Sequence, residues 1–419
     1  MMLALYSFFV WVLQPWVRRK LKRRAIVEPL YGEFMDERFG RYDAKLKSFN
    51  VNGYMVVWIH AVSLGETRAA ALLLQELRLA IPNMRLLLTN GTATGRAEGA
   101  KLLQDGDIQV WQPWDTQAAT SAFMACFKPA LGVLMETELW PNLIHSANKA
   151  SVPVVLANAR LSEKSFKKSQ QWFSKQLATY AYRGLTAVYA QTNEDARRLA
   201  HVGARADGVF GNLKFDITPN SEQLAQAESV RRTLAKPVIV FASSREGEEA
   251  AFLTALQTFP NNVQHSAQWL IVPRHPQRFD EVAELIKAAG FAVTRRHGWT
   301  GNSIWLGDSL GEMAFYYGLS SAALLGGSFE RLGGQNLIES LACGCPIVMG
   351  PHTFNFEEAA SLAALSRVAF KVDGFTSAIQ QGLALSEQGG FNKNAAHRFV
   401  EAHRGAAVRT AAAIQTMLP

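Results

Sequence analysis

The sequence predicts an α/β protein built from two parallel-sheet domains. Short apolar runs alternate with amphipathic helical stretches along most of the chain. The runs are apolar on consecutive residues, as strands buried on both faces require. The alternation comes as two series of similar size, separated by one polar segment. A length of 419 residues favours two domains over one. With 48% hydrophobic and 19% charged residues, the chain is globular and not disordered.

The first element is N-terminal. Residues 3–17, LALYSFFVWVLQPWV, are apolar, and residues 18–24, RRKLKRR, carry six positive charges. The net charge is +8, so removing those six leaves about +2 for the remainder. A nucleic-acid binder spreads its basic surface over the folded body, so no nucleic-acid partner is expected. At roughly 1.5 Å per residue the apolar stretch is short for a bilayer span. A secretory signal has its charges before the apolar stretch and a cleavage site after it; here the charges follow and no such site appears. The order predicts a short membrane-associated helix with a basic collar that attracts anionic lipids, leaving the rest on the cytoplasmic side. The competing reading is a buried N-terminal helix of a soluble protein. Three cysteines, Cys126, Cys343 and Cys345, make no disulfide framework. Cys343-Gly344-Cys345 lacks metal-ligand spacing and reads as core.

In the first series the expected strands are 54–59, 84–89, 107–111, 131–135, 152–157 and 186–190, with helical patterns such as 65–80, 94–103 and 193–202 between them. Residues 211–236 break the rhythm. The second series places strands at 238–242, 269–273, 291–294, 303–306, 322–326 and 346–349. The expected organisation is therefore a membrane-anchor helix at 1–25, a first Rossmann-like domain at 26–210, a linker at 211–236 and a second Rossmann-like domain at 237–419, the two domains facing a cleft. A helical pattern over about 392–417 closes the chain; periodicity does not decide which domain it packs on. Doubly wound sheets bind ligands beyond the carboxyl ends of their strands, so chemistry belongs in the strand-to-helix turns.

The turn after the first strand reads His60-Ala-Val-Ser63-Leu-Gly65-Glu66. Glu66 falls in the first helical turn, where an ionised carboxylate is favoured; there it could take a proton from a substrate hydroxyl. On position alone a plain helix-start charge is the favoured reading. Thr89-Asn-Gly-Thr92-Ala-Thr-Gly95 follows the second strand and suits an anion or a sugar. Glu136-Thr-Glu138 follows the fourth; two carboxylates at the end of a buried strand are costly unless solvated or paired. In the second series Arg274 and His275 can hold a phosphate, and Ser243-Ser-Arg245-Glu-Gly-Glu248 lies equivalently. Gly326-Gly-Ser-Phe329 and Gly333-Gly334-Gln335-Asn336 bracket a turn whose N–H groups could cradle a phosphate, with Glu339 placed for ribose hydroxyls. Asp105-Gly106-Asp107 precedes a strand and reads as a tight turn. There is no GxxxxGK[ST], HExxH or CxxC, and nothing demands a metal or a cofactor.

Taken in order, ERFGRY at 37–42, HAVSLGE at 60–66, TNGTATG at 89–95, ETELWPNL at 136–143, NARLS at 158–162, GNLKFD at 211–216, SSREGEE at 243–249, PRHPQRF at 273–279 and GGSF…GGQNLIES…GCPIVMGPHTFNFEE at 326–358 resemble the 3-deoxy-D-manno-octulosonic acid (Kdo) transferases of lipopolysaccharide assembly. The resemblance implies a GT-B glycosyltransferase fold with an N-terminal anchor at the cytoplasmic face of the inner membrane. It implies inverting transfer of Kdo from CMP-Kdo to the 6′-hydroxyl of the lipid A precursor (lipid IVA), without a bound metal. It makes the first domain the acceptor domain and the second the nucleotide-sugar domain. It also makes Glu66 the catalytic base, places Arg274 and His275 on the nucleotide phosphate and Asn336 and Glu339 on the ribose, and brings Glu138, Arg160, Asn212 and Lys214 near the reaction. Gln335 and Ser340 stand where the family has histidine and proline; glutamine keeps hydrogen-bonding capacity but does not titrate. The rival readings are another GT-B glycosyltransferase or an epimerase using a UDP-sugar, and a non-enzymatic membrane or nucleic-acid adaptor built on the basic segment.

Overall fold

The computed structural model describes residues 2–43, 46, 54–169, 172–299, 301, 303–387 and 390–418. The chain divides into two compact units, Met1–Asp216 with Arg404–Pro419, and Ile217–His403.

The first unit holds β1 (Met55–His60), β2 (Met84–Asn90), β3 (Ile108–Trp111), β4 (Leu131–Met135), β5 (Val154–Ala159), β6 (Ala187–Ala190) and β7 (Gly208–Val209). They pair in the order β3-β2-β1-β4-β5-β6-β7, every pair parallel. Successive residues of β1 feed opposite faces. Val56 and Trp58 join one core cluster with Phe123, Leu143 and Leu156, while Val57 and Ile59 join another with Leu73, Leu86 and Val133. Both faces are therefore dry, which is why the strand reads as one apolar run.

The second unit repeats the plan with β8 (Val238–Ser244), β9 (Gln268–Pro273), β10 (Val293–Arg295), β11 (Ile304–Leu306), β12 (Ala322–Leu325), β13 (Ile347–Met349) and β14 (Ala369–Lys371), in the order β10-β11-β9-β8-β12-β13-β14. In each unit the expected strands stand within a residue or two of their predicted positions. The additional ones, β7 and β14, are short edge strands with little apolar signal. In each sheet the strand order reverses beside the first strand, at β1/β4 and at β8/β12, the place where a doubly wound fold presents its binding turns.

Three boundaries differ from the sequence reading. Residues 211–236 are not a free linker: Leu213–Asp216 is a 3₁₀ turn of the first unit, and Ser221–Arg231 is a helix of the second. The C-terminal pattern is two helices, Gly390–His403 and Ala406–Gln415, broken at Gly405, whose φ of +92° suits a residue without Cβ. The last helix belongs to the first unit, so the second does not run to residue 419. Ala406, Ala407, Ala411 and Ile414 pack into the cluster around β1 and β2, and the Asp216 carboxylate accepts from the Gly405 and Ala407 N–H groups.

At the N-terminus, Met2–Val12 and Gln14–Val27 are helical. The Tyr6 hydroxyl donates to Asp115 at 2.8 Å, the Ser7 hydroxyl to Asn142 Oδ1 at 2.8 Å, and the Trp114 indole to the Val10 carbonyl at 3.2 Å. These contacts fasten one side to the first unit, while Phe8, Phe9, Trp11 and Trp16 remain more than half exposed. Among the described residues no helix is long and apolar enough to cross a membrane.

Candidate active site

The first-unit site grows out of adjacent strand ends. Ser63 caps the helix Leu64–Ala80. Its hydroxyl donates to Glu66 Oε1 at 2.7 Å, and the Val62 N–H donates to Oε2 at 2.8 Å. This reciprocal arrangement would stabilise a helix start by itself. The neighbours set it apart. β4 pairs with β1, so Glu136 and Glu138 come out beside Glu66. Lys214 Nζ lies 3.2 Å from Glu136 Oε1, and the Trp140 indole donates to Glu138 Oε2 at 2.9 Å. The Arg160 N–H donates to the Glu136 carbonyl at 3.3 Å, and Asn212 Oδ1 accepts from the Lys214 N–H at 3.0 Å. The topology thus gathers Glu66, Glu138, Arg160, Asn212 and Lys214 around the ends of β1, β4 and β5.

Three carboxylates beside one ammonium cannot all ionise freely. Burial raises the Glu66 pKa above the usual carboxylate range and the charge of Glu136 adds to this; the Ser63 and Val62 donors and Lys214 oppose it. Glu138 is pushed up to about 7 by burial, then by the charge of Glu66, with Glu136 adding a smaller push. Near neutral pH a proton therefore stays with the Glu66–Glu138 pair, which the sequence does not reveal. Glu136 adds a backbone signal that its motif does not carry. It takes φ +56°, and Asn158 on the next strand takes +53°; such conformations cost of order 1–3 kcal/mol and gather at working sites. Among the described residues no group of three His, Cys, Asp or Glu side chains is placed to hold a metal ion.

Two candidates from the first series have structural duties. His60 is fully buried, with Nδ1 2.7 Å from Thr89 Oγ1, and burial drives its pKa down to about 3, so it stays neutral. The Thr92 hydroxyl donates to the Val62 carbonyl at 2.9 Å and accepts from the Gly95 N–H at 3.1 Å. A Cβ at Gly91 would stand 2.6 Å from Val62 Cγ1. This turn is small because it buttresses the Glu66 turn, and its capping hydroxyl is already engaged. Asp107 takes the Arg78 guanidinium at 2.6 Å and the Leu86 N–H at 2.8 Å, so Asp105-Gly106-Asp107 is a turn. Cys343 and Cys345 are buried core residues.

In the second unit Arg274 and His275 leave the end of β9, half-buried. Burial and the charges of Arg245, Arg274 and Arg278 hold the His275 pKa below its ordinary value, against Glu246. Positive charge therefore accumulates at this turn. Arg278 is held by Glu249 at 2.7 and 3.2 Å, and Glu249 also accepts from the Ser244 hydroxyl at 2.8 Å. The glycine turn is arranged differently from the expectation. Glu248 Oε2 accepts from the Gly327 N–H at 2.7 Å and Oε1 from the Phe329 N–H at 3.1 Å, while the Gly334 and Gln335 N–H groups donate to the Gly327 and Gly326 carbonyls. The protein's own carboxylate fills the place where a phosphate was expected.

Gly333 serves a close approach, since a Cβ there would meet Asn355 Nδ2 at 2.5 Å, and Gly334 a φ of +76°. Asn336 caps the helix Leu337–Ala342, accepting from the Ile338 N–H at 3.2 Å. Glu339 follows in its first turn, half-buried, and its charge and that of Arg274 both act on buried Tyr317. Arg274, His275, Asn336 and Glu339 thus sit on turns flanking β8. Ser340 is buried and donates to the Cys345 carbonyl at 3.0 Å, a contact proline could not make.

A family model described as 3-deoxy-D-manno-octulosonic-acid transferase (kdotransferase) matches residues 33–217. The chain is 42% identical to the 3-deoxy-D-manno-octulosonic acid transferase of Bordetella pertussis over 92% of each sequence. It is 32% identical to that of Haemophilus influenzae over 90% of this chain and 89% of the relative. The crystal structure of a glycosyltransferase from Rickettsia africae aligns with a TM-score of 0.56 at 15% identity, over 87% of this chain and 98% of that one, a likeness of fold alone. With two parallel α/β units in the GT-B manner and this identity along nearly its whole length, the chain belongs to the 3-deoxy-D-manno-octulosonic acid transferase family and is a glycosyltransferase.

Proposed function

We propose that the protein transfers Kdo from CMP-Kdo to the 6′-hydroxyl of the lipid A precursor, with inversion, at the cytoplasmic face of the inner membrane. The observation that carries the reading is the Glu66 carboxylate, fixed by two donors at 2.7 and 2.8 Å with its pKa raised toward the working pH. The Glu66 carboxylate takes the proton of the acceptor hydroxyl. The hydroxyl oxygen forms its bond to the anomeric carbon, the bond from that carbon to the CMP phosphate oxygen breaks, and CMP leaves with the electron pair. Arg274 and the neighbouring Arg245 supply positive charge for the phosphate, and His275 can give it a hydrogen bond. Asn336 and Glu339 hold the ribose. Lys214, paired to Glu136, and Arg160 supply cations beside the base, where the carboxylate of Kdo would find them. The exposed aromatic side of the N-terminal helix and the basic run after it support seating on anionic lipid.

The test is transfer in vitro, with a CMP-Kdo regenerating system, the lipid A precursor and product mass as readout. Glu66→Ala is expected to fold, to bind CMP as the wild type does, and to lose transfer by roughly 10²–10⁴-fold. Losing the helix-start contacts should cost only about 1 kcal/mol of stability. Near-normal turnover in this variant would remove Glu66 from the mechanism, and turnover with UDP-sugars but not with CMP-Kdo would overturn the donor.

A further inference from the structure

Asn158 is buried, polar and without a part in the chemistry described so far. It is 2% exposed and takes φ +53°, which asparagine tolerates better than most residues but which still costs free energy. It sits near the end of β5, where the pairing with β6 shifts register between Leu156 and Ala159. An irregularity of this kind re-aims a side chain. The amide oxygen of Asn158 accepts from the Leu213 N–H at 3.0 Å, and its backbone carbonyl accepts from Gln191 Nε2 at 3.0 Å. Its amide nitrogen has no acceptor among the described residues. A left-handed φ and a buried, unpaired amide N–H are both unfavourable, so local stability does not account for this side chain. What it supplies is the bond to Leu213.

Leu213 opens the 3₁₀ turn Leu213–Asp216. Both ends of that turn are tied within the first unit: the Leu213 N–H to Asn158, and the Asp216 carboxylate to the Gly405 and Ala407 N–H groups. Leu213 and Phe215 are buried, and Lys214 between them reaches Glu136, Nζ to Oε1 3.2 Å. Glu136 is set by the same strand end. Its N–H donates to the Ala157 carbonyl at 3.0 Å, and its carbonyl accepts from the Arg160 N–H at 3.3 Å, residues that bracket Asn158. One bend of β5 therefore places both members of the ion pair, Glu136 through its backbone and Lys214 through the Asn158 side chain.

We propose that Asn158 is a positioning residue for the transfer reaction: by fixing the Leu213 N–H it holds Lys214 against Glu136 and beside Glu66. The inference rests on Glu66 being the base, as proposed above. Burial raises the Glu66 pKa, the Ser63 and Val62 donors lower it, the Glu136 charge raises it and the Lys214 charge lowers it. Glu138 and Arg160 complete the ionisable groups around it. A Lys214 released from its place would leave the Glu136 charge unopposed and make Glu66 harder to ionise.

The experiment uses the full-length protein with CMP-Kdo and the lipid A precursor. It compares the wild type, Asn158→Gly, Asn158→Asp, Lys214→Gln and the double variant Asn158→Gly/Lys214→Gln. Asn158→Gly accepts the left-handed φ and removes the tether. It should bind CMP as the wild type does, lower kcat by roughly 10- to 100-fold with little change in KM, and move the acid limb of kcat/KM to higher pH. Asn158→Asp keeps an acceptor oxygen and tolerates the same φ; above the acid limb it should recover kcat to within about threefold of the wild type. In the Lys214→Gln background, Asn158→Gly should cost less than about threefold more, because the side chain it positions is gone. Fully multiplicative losses in the double variant, or an acid limb that Asn158→Gly leaves in place, overturn the proposal. Should Asn158→Gly not fold, Asn158→Asp decides: a kcat loss of about 10-fold or more with the acceptor oxygen kept overturns it. Absence of transfer from CMP-Kdo by the wild type would instead overturn the functional reading itself.

Discussion

At the residue scale the site works by placing carboxylates where they repel. Glu138 is held protonated up to about pH 7 by burial and by the charge of Glu66, starting from an ordinary value of 4.5. A raised folded-state pKa means that the native state binds this proton more tightly than the unfolded chain does. The stability it contributes is complete below about pH 4.5 and is lost as pH rises through 7. Glu138→Gln should therefore change stability little at pH 5 and raise it by about 1–2 kcal/mol at pH 8.5, less than the full shift because the group keeps some contact with water. Unfolding midpoints at the two pH values check this. Because Glu138 still carries its proton while Glu66 ionises, the same variant should leave the acid limb of kcat/KM in place. A stability gain equal at both pH values would show that the shared proton plays no part. Glu66 and Glu138 were legible in the sequence as strand-end acids. The weight of Glu136 was not, because a left-handed φ exists only after folding.

At the element scale, the strand-to-helix turns use their polar residues first on themselves. Ser63, Thr92, Thr116, Thr192, Asn220 and Asn336 each cap the helix that follows. Glu248 goes further, accepting from the Arg245 N–H before its own helix and from N–H groups of the turn after β12. Glu248→Ala would leave the Arg245, Gly327 and Phe329 N–H groups without this acceptor and should destabilise the second unit by roughly 2–4 kcal/mol, read as a lowered thermal midpoint with CMP binding weakened in parallel. An unchanged midpoint would mean that water replaces the clamp at no cost. Glycine-rich turns suggest anion sites in a sequence, yet here the anion is a glutamate of the protein, 79 residues earlier. No local pattern carries that pairing.

At the scale of the whole molecule, the chain leaves the first unit at Asp216 and returns at Arg404. The final helix completes one face of the first sheet, with Ile414 fully buried there and the Gln415 side chain donating to the Ala80 carbonyl at 2.8 Å. Ile414→Ala should cost about 2–4 kcal/mol. The loss should fall on the first unit, seen in calorimetry as a lowered transition, with CMP affinity unchanged. Equal loss of CMP binding would show that the last helix serves the second unit instead.

The sequence by itself determined the two series of buried parallel strands, the turns that end them and, through ordered motifs, the family. Strand burial is a local property: consecutive apolar residues bounded by turn formers can satisfy both faces only between covering helices. Which unit the C-terminal helix completes, which carboxylate occupies the glycine turn, and that burial and the charge of Glu66 raise Glu138 were decided by tertiary structure alone. Each depends on the distance and dielectric between groups far apart in the chain, and periodicity carries no record of either.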